Sequence, residues 1–174
     1  DGKVWRQSYA CGDPLTPLEV AGTTKKRGTK ITFHPDDSIF ETVEFSFDVL
    51  SQRLRELAFL NGGVKITIAD DREEGKHHEF RYEGGIVTFV DYLNRNRNTL
   101  HPKPIYVRGE RQGIDMEIAL QYNDSYDEKV FSFANNINTH EGGTHLVGFR
   151  AALTRTMNNY AVANELLKKE KVSI

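Results

Sequence analysis

Cysteine is nearly absent from this chain of 174 residues. Cys11 is the only one, so no disulfide can form within the chain. No neighbouring residue in the sequence marks this thiol as an activated nucleophile, and we expect a small, half-buried residue near a strand end in a reducing cytoplasm. No apolar run approaches the length that spans a bilayer, and no signal-peptide pattern opens the chain.

The sequence also lacks a strong charge of either sign. Its 23 Lys and Arg residues are balanced by 25 Asp and Glu residues, which gives a formal net charge of -2. Overall charge therefore gives no attraction to nucleic acid, and any DNA contact must come from a local basic patch. The 38% apolar and 28% charged residues are typical of a soluble globular protein with a core, and the length fits one domain or two small ones.

Neither end of the sequence has the features of a natural terminus. The first residue is Asp1 rather than methionine, and it stands directly before a run with the composition of a strand. The last residues, 168–174, end without a turn or capping signal. We therefore expect this chain to be an internal segment of a longer protein.

The first hundred residues predict strands and two helices. Residues 3–10 and 29–33 alternate and predict two strands, separated by a breaker-rich turn at 11–17 and a basic loop at 25–28. A helix is predicted from the N-cap Ser46 to the stop at residues 61–63. A hairpin follows over 64–68 and 78–82, and Gly84 opens a short helix. The predicted inward residues are Phe47, Leu50, Leu54, Leu57 and Ala58 on the first helix, then Ile86, Phe89, Val90 and Leu93.

The pattern changes after residues 100–102, where we predict a domain boundary. Strands are predicted at 105–108, 114–122 and 128–134, with a turn at 109–113. The strict alternation over 114–122 predicts one buried and one wet face. A long helix is predicted from the N-cap Thr144, with Arg150 at the edge of its apolar stripe and Arg155 nearly opposite. The stripe comprises Leu146, Phe149, Leu153, Met157 and Tyr160.

The sequence contains residue types that occur in phosphate-binding, metal-binding and catalytic sites, but they do not form a complete site of any of these kinds. The glycine pairs at 62–63, 84–85 and 142–143 match no phosphate-binding motif and predict turns and helix ends. Adjacent residues such as His77 and His78 point to opposite faces of a strand, so a solvated hairpin is predicted instead of a metal site. The acidic pairs at 36–37 and 70–71 lie in polar turns, where aspartate usually serves the local backbone.

Several separated stretches together resemble the N-terminal ATPase half of the gyrase B family of type IIA DNA topoisomerases. The resemblance covers essentially the whole chain in order, and it is most specific in the segment that opens the long helix. The matching stretches are RQSY at 6–9, GTKITF at 28–33, RLRELAFLNG at 53–62, RYEGGI at 81–86, HP at 101–102, EIALQYN at 117–123 and NNINTHEGGTHLVGFRAALTRT at 135–156.

The resemblance implies an α+β fold in two parts. Residues 1–100 are expected to be the C-terminal portion of a GHKL-type ATP-binding domain, an α/β sandwich with helices on one face of a mixed sheet. Residues 101–174 are expected to be the N-terminal portion of a transducer domain, which resembles domain 2 of ribosomal protein S5. The family's catalytic glutamate, magnesium ligand and glycine-rich lid match no residue of this chain. We therefore expect no catalytic and no metal-binding residue here, and no activity from this segment alone.

The resemblance also implies functional roles for four residues of this chain. Thr29 falls where a family threonine supports the adenine pocket, and Ile31 falls on an apolar wall of that pocket. Arg150 and Arg155 match arginines of the transducer helix that borders DNA, and periodicity does not decide which of them faces the duplex. The full-length protein is expected to use ATP and Mg²⁺ and to act in the cytoplasm. Its expected partners are DNA, the A-subunit of gyrase and a second ATPase half.

Two other interpretations stay open at this point. The ATPase subunit of topoisomerase IV shares the architecture. A noncatalytic binding module or regulator that docks on gyrase or DNA would also fit a chain of this length.

Overall fold

The structure is a computed structural model that describes residues 2–166. The chain divides into two compact units between Phe45 and Ser46. Residues 2–166 contain three helices and five two-stranded antiparallel sheets, which confirms the predicted α+β class. The boundary predicted near residue 100 remains a prediction.

The first unit is built from short strands. β1 (Lys3–Arg6) pairs with β4 (Glu19–Thr23), and the register shifts between Val4 and Trp5. β2 (Tyr9–Ala10) pairs with β3 (Asp13–Pro14) across a tight turn. That turn contains Cys11, whose exposed thiol corrects the expectation of a half-buried residue. Every strand residue of this unit is exposed.

The strand predicted at residues 29–33 is absent, and the one predicted at 3–10 is divided into β1 and β2. Residues 24–36 have no regular secondary structure. A strand exists only as part of a hydrogen-bonded ladder, and strand propensity depends strongly on that context. Here β1 pairs with Glu19–Thr23, a segment that we did not predict as a strand. Within residues 2–166, the 29–33 segment has no ladder partner.

The second unit begins with α1 (Phe47–Leu60), whose predicted ends are confirmed. The Ser46 hydroxyl accepts a hydrogen bond from the Val49 N–H at 3.4 Å. At the other end, the Asn61 N–H donates to the Leu57 carbonyl at 3.0 Å. The predicted inward face is partly wrong, because Leu50 is 38% exposed. The buried residues of α1 are Phe47, Ser51, Ala58 and Phe59.

An aromatic cluster forms the core of the second unit. Phe59 is fully buried and stacks on Tyr82, with ring centroids 3.6 Å apart. Tyr82 follows the hairpin of β5 (Ile66–Ala69) and β6 (His77–Phe80). Phe59 also stacks on Phe89 of α2 (Gly85–Asn94) at 5.0 Å. The predicted short helix and its buried Phe89 are thereby confirmed.

In the next hairpin the first strand is longer than predicted, the second ends at Leu120 instead of residue 122, and the turn is tighter. β7 (Ile105–Arg111) pairs with β8 (Ile114–Leu120), and Gln112 and Gly113 form the turn with φ of 54° and 75°. Both φ values are positive, as in the two-residue turns that match strand twist. The predicted buried face is wrong for the hairpin tip, where Ile114 is 70% exposed. Only the end of β8, which packs on α2, is half-buried.

The strand predicted at 128–134 is shorter in the structure. Only β9 (Phe133–Ala134) pairs, with β10 (Ile137–Asn138), across a turn at Asn135 and Asn136. Both asparagines have positive φ, which asparagine tolerates better than most residues. The ladder extends from this turn for two residue pairs only. α3 (Gly143–Ala163) then completes the described chain.

Candidate functional site

Helix α3 begins two residues earlier than predicted and without the predicted cap. Gly142 is the N-cap, with φ of 91°, and Gly143 is the first helical residue, with φ of 76°. No side chain accepts a hydrogen bond at this cap, so the prediction for Thr144 is wrong. The reason is conformational, because the chain enters the helix through two left-handed residues that favour glycine.

The predicted apolar stripe is confirmed only for the first half of α3. Leu146, Phe149 and Leu153 are half-buried. Met157 is exposed and Tyr160 is 62% exposed. The second half of the stripe is therefore uncovered within residues 2–166.

A hydrogen-bonded cluster fixes the loop that leads into α3. Thr139 Oγ1 donates to Ser132 Oγ at 2.8 Å, and Ser132 Oγ donates to the Gly142 carbonyl at 3.0 Å. His145 Nε2 lies 2.5 Å from Ser132 Oγ. If its Nε2 carries the proton, both lone pairs of the serine hydroxyl are used. This cluster, Ser132–Thr139–His145, was not predicted from the sequence, because its members are separated along the chain.

The two candidate arginines of α3 lie in different surroundings. Arg150 Nη2 forms an ion pair with Glu128 Oε2 at 2.9 Å. Arg155 is exposed and makes no hydrogen bond or ion pair with any residue that the structure describes. Five residues advance a helix by about 140°, so the two side chains do not share one face.

The two candidate pocket residues, Thr29 and Ile31, lie in the first unit. Thr29 is exposed and Ile31 is 81% exposed. Both belong to the stretch that lacks a strand ladder, so strand alternation does not place them on one face. Both side chains are therefore open to solvent in the structure.

The acidic pairs serve their local turns, as predicted. Hydrogen bonds from the Ser38 side chain and backbone lower the pKa of Asp36. A hydrogen bond from the Arg72 guanidinium lowers the pKa of Asp70 to about 2. No group of three possible metal ligands occurs among residues 2–166.

Among residues 2–166, none of the helices combines the length and the apolar composition that a membrane span needs.

His77 and His78 are both exposed, which confirms the predicted solvated hairpin, but His78 also contacts helix α1. Its Nδ1 lies 2.6 Å from the hydroxyl of buried Ser51, and its ring packs against Phe47. His77 instead approaches the Gly75 carbonyl in the loop. The two histidines therefore have different partners, and His78 helps to attach the hairpin to α1.

The family model described as DNA gyrase B matches residues 85–174 of this chain. The chain belongs to the DNA gyrase B family. The match includes the loop and helix that supplied the most specific part of the resemblance.

Curated gyrase B relatives match almost the whole chain. It is 56% identical to the B-subunit of DNA gyrase from Myxococcus xanthus over 98% of this chain and 21% of that protein. It is likewise 56% identical to the B-subunit of DNA gyrase from Halalkalibacterium halodurans over 97% of this chain and 27% of that protein. The chain thus spans about a fifth to a quarter of the length of these gyrase B relatives.

Solved gyrase B structures share the fold. The 43K ATPase domain of Thermus thermophilus gyrase B, in complex with an aminocoumarin, matches with a TM-score of 0.81 and 34% identity. That match covers 95% of this chain and 46% of the solved one. The solved B-subunit of the DNA gyrase from Myxococcus xanthus matches with a TM-score of 0.78 and 30% identity, over 92% and 48% of the two chains.

We predict opposite effects for two glycine substitutions in α3. At Gly143, φ of 76° disfavours any side chain, and an added Cβ would lie 2.9 Å from His145 Cε1. Gly143→Ala should therefore destabilise the chain by about 1–2 kcal/mol. Gly148 is helical, and an added Cβ would meet only open space, so Gly148→Ala should stabilise by about 0.5–1 kcal/mol. Urea denaturation of both variants measures the difference, and equal effects would contradict the assigned helix entry.

Proposed function

We propose that this chain is part of the ATP-operated clamp in the B-subunit of DNA gyrase. That clamp couples ATP binding and hydrolysis to DNA strand passage and negative supercoiling. The observation that carries the proposal is the structural match to a gyrase B ATPase domain over 95% of this chain, with 34% identity. The 56% identity to gyrase B sequences supports the same function.

The proposal assigns cofactors and partners to the full-length protein. ATP and Mg²⁺ are its cofactors, and DNA, the A-subunit of gyrase and a second copy of the ATPase half are its partners. It works in the cytoplasm, where its DNA substrate is found. The chain described here contributes no catalytic residue, so hydrolysis requires residues outside it.

Thr29 and Ile31 are proposed to form one wall of the adenine pocket. A threonine hydroxyl can hydrogen-bond a base edge directly or through water, and an exposed isoleucine can cover the face of the ring. Both side chains are open to solvent, as a ligand wall requires. The related Thermus thermophilus domain was solved with an aminocoumarin, and we propose that this drug class binds the full-length protein too.

An ATP titration of supercoiling tests the function and the pocket together. The full-length protein, combined with the A-subunit of gyrase, should introduce negative supercoils into relaxed plasmid only with ATP. Thr29→Ala should raise the ATP concentration for half-maximal rate by about 5- to 10-fold, because one hydrogen bond is worth roughly 1 kcal/mol or slightly more. Thr29→Ser keeps the hydroxyl and serves as the matched control.

The experiment distinguishes a wrong function from a wrong pocket assignment. If the full-length protein hydrolysed ATP but never changed the linking number, the gyrase function would be wrong. Preferential decatenation without supercoiling would point to topoisomerase IV. If the protein supercoiled DNA but Thr29→Ala behaved as the wild type, only the pocket assignment would be lost.

Arg155 and Arg150 are proposed to attract the DNA backbone from helix α3. Phosphate contacts supply affinity without reading sequence, which suits an enzyme that acts on any duplex. Arg155 has the greater claim, because Arg150 is already engaged by Glu128 at 2.9 Å. Arg155 has no such partner among residues 2–166.

We predict that Arg155→Ala weakens DNA binding more than Arg150→Ala in the full-length protein. Loss of one phosphate contact should lower the slope of log affinity against log salt by about 1. Glu128→Gln releases Arg150 and should strengthen DNA binding, which makes it the matched control. Filter binding at several salt concentrations measures all three. An unchanged salt slope for Arg155→Ala would remove that residue from the interface.

A further inference from the structure

One contact joins helix α1 to the turn between β9 and β10, 83 residues away in sequence. Arg53 Nη2 donates to the Asn136 carbonyl at 2.6 Å, while Arg53 Nη1 donates to Glu56 at 2.9 Å. The guanidinium is thus held between its own helix and a distant turn. Arginine suits this arrangement, since its planar fork offers several donors in fixed directions.

A second hydrogen bond strengthens the same attachment. Asn136 Nδ2 donates to Asn61 Oδ1 at 3.2 Å. Asn61 in turn donates from its Nδ2 to the Leu57 carbonyl at 2.8 Å, at the C-terminal end of α1. The turn is therefore tied to α1 both in the middle of the helix and at its end.

A short, hydrogen-bonded segment connects the turn to the start of α3. Only five residues separate Asn136 from Gly142, and β10 and the Ser132–Thr139–His145 cluster hold that stretch. The Gly142 N–H also donates to the Thr139 carbonyl at 2.8 Å. A displacement of the turn should therefore reach the beginning of α3 with little loss.

We propose that Arg53 is a positioning residue that couples α1, in the predicted ATP-binding portion, to α3, in the predicted transducer portion. The inference rests on the proposed function, because only then does α3 border DNA. Arg53 touches neither nucleotide nor DNA in this scheme. It sets where the Asn136 turn lies, and the turn sets where α3 starts.

The test uses four variants of the full-length protein. Arg53→Ala removes both hydrogen bonds of the guanidinium, and Arg53→Lys keeps the charge but loses the planar fork that reaches both partners. Asn136→Gly keeps the carbonyl and the positive φ but loses the bond to Asn61. Arg81→Ala is the matched control, because within residues 2–166 the exposed Arg81 pairs only with nearby Glu83.

Two measurements read out the coupling. Hydrogen exchange over residues 139–146 reports whether Arg53 holds the entry to α3, and it needs no enzymatic activity. The number of supercoils introduced per ATP hydrolysed reports coupling in the working enzyme. For Arg53→Ala we expect exchange to rise and supercoils per ATP to fall, each by roughly 3- to 10-fold. The rate of ATP hydrolysis without DNA should stay near that of the wild type.

The order of the variants distinguishes positioning from simple loss of stability. Arg53→Lys and Asn136→Gly should give intermediate effects on both measurements, and Arg81→Ala should give none. Equal losses of supercoiling and hydrolysis, with unchanged exchange, would overturn the proposal. If the wild type does not supercoil DNA, the proposed function fails. The exchange measurement then still decides whether Arg53 positions α3.

Discussion

The second unit depends on the burial of one side chain, the ring of Phe59. It is fully buried, and it contacts Tyr82 after the β5–β6 hairpin and both Phe89 and Tyr92 of α2. Phe89 continues the cluster to Phe131, ahead of β9, at 5.1 Å. Aromatic side chains bury large areas and gain further from favourable ring geometry. This cluster therefore brings together the elements on both sides of the predicted domain boundary.

Polar contacts outside the aromatic cluster also join elements before residue 100 to elements after it. Asn94, at the end of α2, donates to Gln121 at 2.9 Å and accepts from Asn123 at 2.8 Å. Arg53 reaches the Asn136 turn from α1. Each of these bonds joins a residue before position 100 to one after it. The aromatic core and the polar contacts thus connect α1 and α2 to the segment that leads into α3.

The sequence predicts the structure correctly where hydrogen bonds between neighbouring residues determine it. Ser46 and Asn61 were predicted as the ends of α1 because their capping groups act within one turn. The strand at 29–33 and most of the one at 128–134 were predicted wrongly, because a strand requires a partner that alternation does not supply. The helix cap predicted at Thr144 is wrong because the chain enters α3 through two glycines with positive φ, and Ser132 and Thr139 donate hydrogen bonds to the Gly142 carbonyl.

The candidate site was predictable only through the resemblance. Thr29 and Ile31 have no local feature that indicates a nucleotide, and the structure leaves both exposed without a ladder. The sequence places both Arg150 and Arg155 on the predicted long helix, and only the structure shows that Glu128 engages the first. Family membership, in contrast, was apparent from the segment at residues 135–156, where loop and helix sequence are both distinctive.

Native-state hydrogen exchange of this chain, followed at increasing urea, tests most directly whether residues 46–166 form one body around Phe59. The amides of α1, α2 and the β9–β10 turn should converge on one free energy of opening, because they share the aromatic cluster. Two separate opening energies, dividing near residue 100, would contradict the account.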